Sequence, residues 1–139
     1  SDRVYHHTAP VNMNFGMREA LRLLADEGLD MAWARHRRNA EALWSGLESM
    51  GIEMHVPKEL RLPTLTTVRI PEDVDGKAFT QHLLNNHSIE VGGGLGVLAG
   101  KIWRIGLMGY NSNPENVSRL LNLFETELPQ FRQNVAVAA

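Results

Sequence analysis

The spacing of apolar residues changes period at Gly51, and that change does most to limit what this chain can fold into. Before it, the pattern is helical. From about Asn14 to Glu27, Met13, Met17, Ala20, Leu21 and Leu24 recur on one face while Arg18, Glu19, Arg22 and Asp26 take the other. Gly28 stops this run, and Asp30 is placed to cap a second helix reaching Met50, with Ala40, Leu43, Trp44, Leu47 and Met50 as its stripe. The run Arg35-His36-Arg37-Arg38 reads as a solvated face of that helix.

After Gly51 the pattern alternates. Ile52 to Val56 reads as a half-buried strand, Leu65 to Ile70 as a β-branched strand ended by Pro71, and Ile89 to Val91 and Ile102 to Leu107 as two more. A short helix opens at Asp75 and runs to about His87. A final helix starts at Asn113 as N-cap with Pro114 at N1, and buries Val117, Leu120, Leu121, Phe124 and Leu128. The expected fold is α+β: a two-layer small domain in the order ααββαββα, its short four-stranded, mostly antiparallel sheet covered by helices. Residues 1–28 read as a segment crossing in from something upstream, and residues 29–139 as the small domain itself.

Composition narrows the function classes. The chain is 139 residues long, 43% hydrophobic and 22% charged, a balance that excludes a disordered segment. Its formal charge of −2 gives no basic field for a nucleic acid. With no cysteine there is no disulfide framework, thiolate zinc site or thiol nucleophile. No apolar run approaches a membrane span, and neither a signal peptide nor a peroxisomal address is legible, so a cytoplasmic location is expected.

Few residues carry chemistry. The run from Gly92 to Lys101 tempts towards a phosphate loop, but Leu95 stands where a glycine is needed and Ile102 where Ser or Thr is needed. It is either a tight turn or the floor of a site. Arg104 lies mid-strand among apolar neighbours, where a guanidinium needs a partner. An internal salt bridge is the plainer reading, a bound carboxylate the sharper one. Tyr5-His6-His7-Thr8 could donate hydrogen bonds to an anion or be a polar loop, and lacks the spacing of a zinc site. His36, His55, His82 and His87 stand singly and carry no signal.

Tyr5-His6-His7-Thr8-Ala9-Pro10, Arg61-Leu62-Pro63-Thr64, Gly92-Gly93-Gly94-Leu95-Gly96 and the run from Gly100 to Gly109 occur together in this order. In that combination the chain, from about Tyr5 to Leu128, resembles the C-terminal part of class V pyridoxal phosphate-dependent aminotransferases of the alanine–glyoxylate or serine–pyruvate type. The resemblance implies that Arg104 holds the α-carboxylate of an amino- or oxo-acid substrate. It implies that Tyr5 and Thr8 hydrogen-bond the cofactor phosphate of the neighbouring subunit in a homodimer. It implies no role for His6 or His7. The family's Schiff-base lysine belongs to a large domain that these residues do not include, and Lys58, Lys77 and Lys101 match no such position. Alone, the chain is therefore expected to be inert in transamination. A freestanding carboxylate-binding or protein-interaction module remains the second class of function.

Overall fold

The computed structural model describes Val4 and residues 6–133. These divide into two compact units, Ser1–Ala34 and Arg35–Ala139. The first holds helix α1, Val11–Glu27, and the opening turn of α2, Leu29–Ser49. Residues of α1 follow the predicted helical period, yet none of them is buried, and Met13, Met17 and Leu21 stand exposed. An i,i+3 and i,i+4 cluster of Arg22 with Glu19 and Asp26 laces its polar side. Among the described residues no helix is long and apolar enough to cross a membrane.

The second unit contains the sheet. Strand β1 is Leu65–Arg69, helix α3 is Gly76–His87, β2 is Gly92–Gly93, β3 is Ile102–Gly106 and α4 is Pro114–Glu127. The sheet order is β1-β3-β2, with β3 antiparallel to both neighbours. Alternation along β3 sends Trp103 and Ile105 to one face and Ile102 and Arg104 to the other. Trp103, Ile105 and Val68 meet Leu43 and Leu47 of α2, Phe79 and Leu83 of α3, and Val117, Leu120 and Phe124 of α4 in one core. Its centre is aromatic: Phe79, Trp103 and Phe124 lie 5.1–5.6 Å apart, two of the three pairs edge-to-face. Two buried polar groups are tied as burial demands, Trp44 Nε1 donating to Thr66 Oγ1 at 2.8 Å and Trp103 Nε1 to the Gly76 carbonyl at 3.2 Å.

The mixed α+β architecture with helices packed on a sheet is thus present, but the sheet has three strands and not four. The expected strand at Ile52–Val56 is reduced to one bridge, Met54 to Val68, bracketed by Arg69 N–H to the Glu53 carbonyl and His55 N–H to the Thr67 carbonyl. Both ends of that segment are committed elsewhere. The Ile52 N–H closes helix α2 on the Leu47 carbonyl, the Val56 carbonyl accepts from Arg61 Nε at 3.0 Å, and Pro57 has no N–H to offer. Ile89–Val91 fails as a strand for a similar reason. The Ile89 N–H bonds to the Leu83 carbonyl at the end of α3, and pairing starts only at Gly92.

Two helix starts follow the local code, whereas Asp30 lies inside the first turn of α2 and not before it, because the helix already begins at Leu29. Asp75 caps α3 by accepting from the Ala78 N–H at 2.9 Å, and Asn113 caps α4 by accepting from the Asn116 N–H at 2.8 Å. The basic run on α2 departs from a solvated face. Arg35 donates through Nη1 to the carbonyls of Gly109 and Ser112 at 2.8 and 2.7 Å, and His36 Nε2 accepts from the Gly109 N–H at 3.0 Å. These bonds fasten the turn that follows β3.

Candidate functional site: an arginine on the open face of the sheet

Arg104 occupies the centre of the middle strand, with Thr67 of β1 and Gly92 of β2 directly opposite it. Opposed residues in an antiparallel ladder share a face, so the guanidinium lies in a lane between a hydroxyl side chain and a residue with no side chain. A Cβ at Gly92 would touch an Arg104 terminal nitrogen at 3.5 Å, ordinary van der Waals contact, so the glycine leaves that side of the guanidinium uncovered and is not forced by a clash. Arg104 Nε donates to the Gly93 carbonyl at 2.7 Å. That bond fixes the plane of the fork and leaves the two terminal nitrogens for another acceptor.

The internal salt bridge is not formed: among the described residues no ion pair joins Arg104 to an acid. The other buried-side arginine shows what a structural role looks like. Arg61 is 12% exposed, pairs with Glu48 at 2.8 Å, donates to the Val56 carbonyl and lies over the Trp44 ring at 5.5 Å. Arg104 shares with it a bond from Nε to a backbone carbonyl, but among the described residues it has neither the acid nor the ring. A half-buried, oriented guanidinium without an acid can take a carboxylate in two parallel charge-assisted hydrogen bonds.

The glycine run supports the arginine, and part of its backbone is bonded to itself and to β3. Its N–H groups are used internally, Gly94 donating to the Ile102 carbonyl and Lys101 to the Leu98 carbonyl. At Gly94 an added Cβ would fall 2.0 Å from the Leu98 carbonyl oxygen, so the chain passes itself there too closely for any side chain. The run is a tight turn that sets β2 beside β3 and brings the Gly93 carbonyl to Arg104.

The remaining candidates belong to the first unit, stand exposed, or lie outside the described residues. Thr8 is exposed and belongs to the first unit, whereas Arg104 belongs to the second. Tyr5 lies outside the described residues. His6 and His7 are exposed and contact each other, ring centroids 4.0 Å apart. Lys58, Lys77 and Lys101 are all exposed. A lysine that forms a Schiff base is activated by desolvation or by a cationic neighbour, and these solvated amines do not fit the reactive end of pyridoxal phosphate.

Sequence reasoning missed one constellation. His82 and His87 of α3 converge on Glu127 of α4, all three half-buried. Burial tends to raise the Glu127 carboxyl, but hydrogen bonds and charge from both imidazoles outweigh it and hold the group below the ordinary carboxylate value. The two histidines are five residues apart and the acid lies 40 residues further on, so no local motif announces them.

No family model matches the chain. Comparison with curated proteins finds the alanine–glyoxylate aminotransferase of Mus musculus, 40% identical over 133 residues, which are 95% of this chain and 32% of that protein. Among solved structures, an alanine–glyoxylate aminotransferase from Nostoc sp. is 62% identical with a TM-score of 0.84, over 88% of this chain and 33% of the other. The ureidoglycine–glyoxylate aminotransferase of Bacillus subtilis matches with a TM-score of 0.87 at 37% identity, over 96% of this chain and 34% of the other. The chain spans about a third of the length of the relatives it matches. Homology and shared geometry together support for this chain the fold of class V, alanine–glyoxylate-type aminotransferases, over about one third of such an enzyme's length.

Proposed function

We propose that this chain is the C-terminal part of a pyridoxal phosphate-dependent transaminase that moves an amino group from alanine or serine to glyoxylate or pyruvate, and that it supplies the substrate-carboxylate clamp. The observation that carries the reading is Arg104: half-buried, locked through Nε on the Gly93 carbonyl, opposite Gly92, and without an acid among the described residues. In such an enzyme the cofactor, held as a Schiff base by a lysine of the large domain, supplies the electron sink for the amino-group transfer. Arg104 binds the α-carboxylate of donor and acceptor alike and fixes the orientation of the bond to be broken. On the same reading Tyr5 and Thr8 hydrogen-bond the cofactor phosphate across a homodimer, and the exposed apolar residues of α1 are surface for the rest of the enzyme.

Losing a bidentate charge-assisted contact costs about 3 kcal/mol, roughly a hundredfold in affinity. In the full-length transaminase, Arg104→Lys is therefore expected to raise KM for donor and acceptor by about two orders of magnitude, with cofactor content unchanged. An unchanged KM removes Arg104 from the clamp. In the isolated chain, pyridoxal phosphate followed by borohydride and peptide mapping is expected to leave Lys58, Lys77 and Lys101 without a stoichiometric adduct. An adduct on one of them, or saturable amino transfer by the chain alone, means these residues hold a cofactor site of their own.

A further inference from the structure

His82, His87 and Glu127 have no part in the clamp, and their arrangement has chemistry of its own. Both rings present Nε2 to one carboxylate, His87 at 3.0 Å and His82 in closer contact. One donor atom from each of the three residues can be chosen so that all lie within 4.8 Å of one another. Their side chains are 27%, 25% and 18% exposed, so the cluster is partly withdrawn from water and still reachable from it. The His82 ring packs 5.1 Å from that of Phe131, which limits its rotation.

We propose that His82, His87 and Glu127 form a binding site for one divalent transition-metal ion, zinc being the best match, with water in the fourth position. Two imidazoles and a carboxylate are a donor set that Zn²⁺ takes when three protein ligands leave one place open. The oxygen-rich cage that calcium or magnesium requires is absent from this cluster. Tetrahedral bonds of about 2.1 Å separate neighbouring ligands by roughly 3.4 Å, so the His87–Glu127 contact has to open by a few tenths of an ångström and the closer His82–Glu127 contact by more. Ligation through Nε2 moves each ring proton to Nδ1. At His82 that atom lies 2.8 Å from the Asn86 side-chain amide, whose oxygen, once turned inward, accepts a hydrogen bond from the Nδ1–H.

The surroundings favour a cation. His87 is the last residue of α3, and the C-terminal end of a helix dipole carries partial negative charge, although the carbonyls of Leu83, Leu84 and His87 already accept hydrogen bonds here. Arg119, the cationic side chain in contact with this end of α3, donates to the His87 backbone carbonyl at 2.7 Å and so leaves the Glu127 carboxylate to the imidazoles. An ion here would pin the end of α3 to the end of α4.

The chain, freed of metal with a chelator, is to be titrated with Co²⁺ and then with Zn²⁺. The expected result is one Co²⁺ per chain with the visible d–d bands of four-coordinate cobalt, bleached by Zn²⁺, and a rise in the melting temperature on adding Zn²⁺. His87→Ala and Glu127→Gln should each weaken binding at least tenfold, while a His6→Ala, His7→Ala double variant binds as the parent does. Glu127→Gln keeps the shape of the side chain, and circular dichroism of each metal-free variant reports whether it is folded. Absence of four-coordinate bands, or binding that disappears with His6 and His7 and survives in folded His87→Ala or Glu127→Gln, overturns the proposal.

Discussion

A guanidinium on a sheet face is oriented by an anchor, and Arg104 has one. Gly93 supplies the carbonyl that holds Nε, and Gly92 opposite adds no side chain to cover it. Both depend on Gly94, where the turn doubles back. At Gly94→Ala the new methyl meets the Leu98 carbonyl oxygen at 2.0 Å and its carbon at 2.5 Å, backbone atoms that cannot swing aside. The expected loss is about 3 kcal/mol or more in urea unfolding. Gly93→Ala, with nothing within 4 Å of its added Cβ, is expected to cost under about 1 kcal/mol. Equal losses at the two positions would mean that the turn is not the tight element described. At this scale Arg104 was legible as an unusual strand arginine, but its partner was not. Sixteen acidic residues make an internal pair the natural guess, and only the register shows that none of the described ones is beside it.

Helices were read well because their evidence is local. Asn113 and Pro114 announce α4 within two residues, and its stripe of Val117, Leu120 and Phe124 goes into the core as the 3.6-residue period requires. Removing the cap acceptor with Asn113→Ala is expected to cost about 1 kcal/mol, measurable as a lower urea midpoint. Asn113→Asp should fall between the two, since it keeps the acceptor for Asn116 but loses the amide bond to the Tyr110 carbonyl. Strands were read less well because a ladder is settled by distant partners. Ile52–Val56 alternates as a strand should, and nothing local reveals that Arg61 takes its last carbonyl. The basic run on α2 was misread in the same way, since the carbonyls that Arg35 grips lie 74 and 77 residues away.

Across the whole molecule, Glu127 ties α4 to α3 and makes stability depend on acid. Its carboxyl titrates below its ordinary value of 4.5 in the folded chain, so the native state gains from the ionised form at and above that pH. The gain is lost as pH falls through the folded value. Urea midpoints measured from pH 7 down to pH 3 should therefore drop more steeply below about pH 4.5 for the parent than for Glu127→Gln. Parallel curves would mean that the imidazoles do not stabilise the carboxylate. The order β1-β3-β2 has one more consequence, in time and not in energy. The strand that both edges need is the last of the three to be synthesised, and all of α3 lies between the partners of the main ladder. While the chain is emerging from the ribosome, β1 has only residues 53–55 to pair with, through one bridge on its outer edge. The edge of β1 that meets β3, and the Gly92–Gly93 edge, are paired only once residues 102–106 are out, and the long loop from β1 closes at that moment. Arg104 arrives on the strand that completes the sheet.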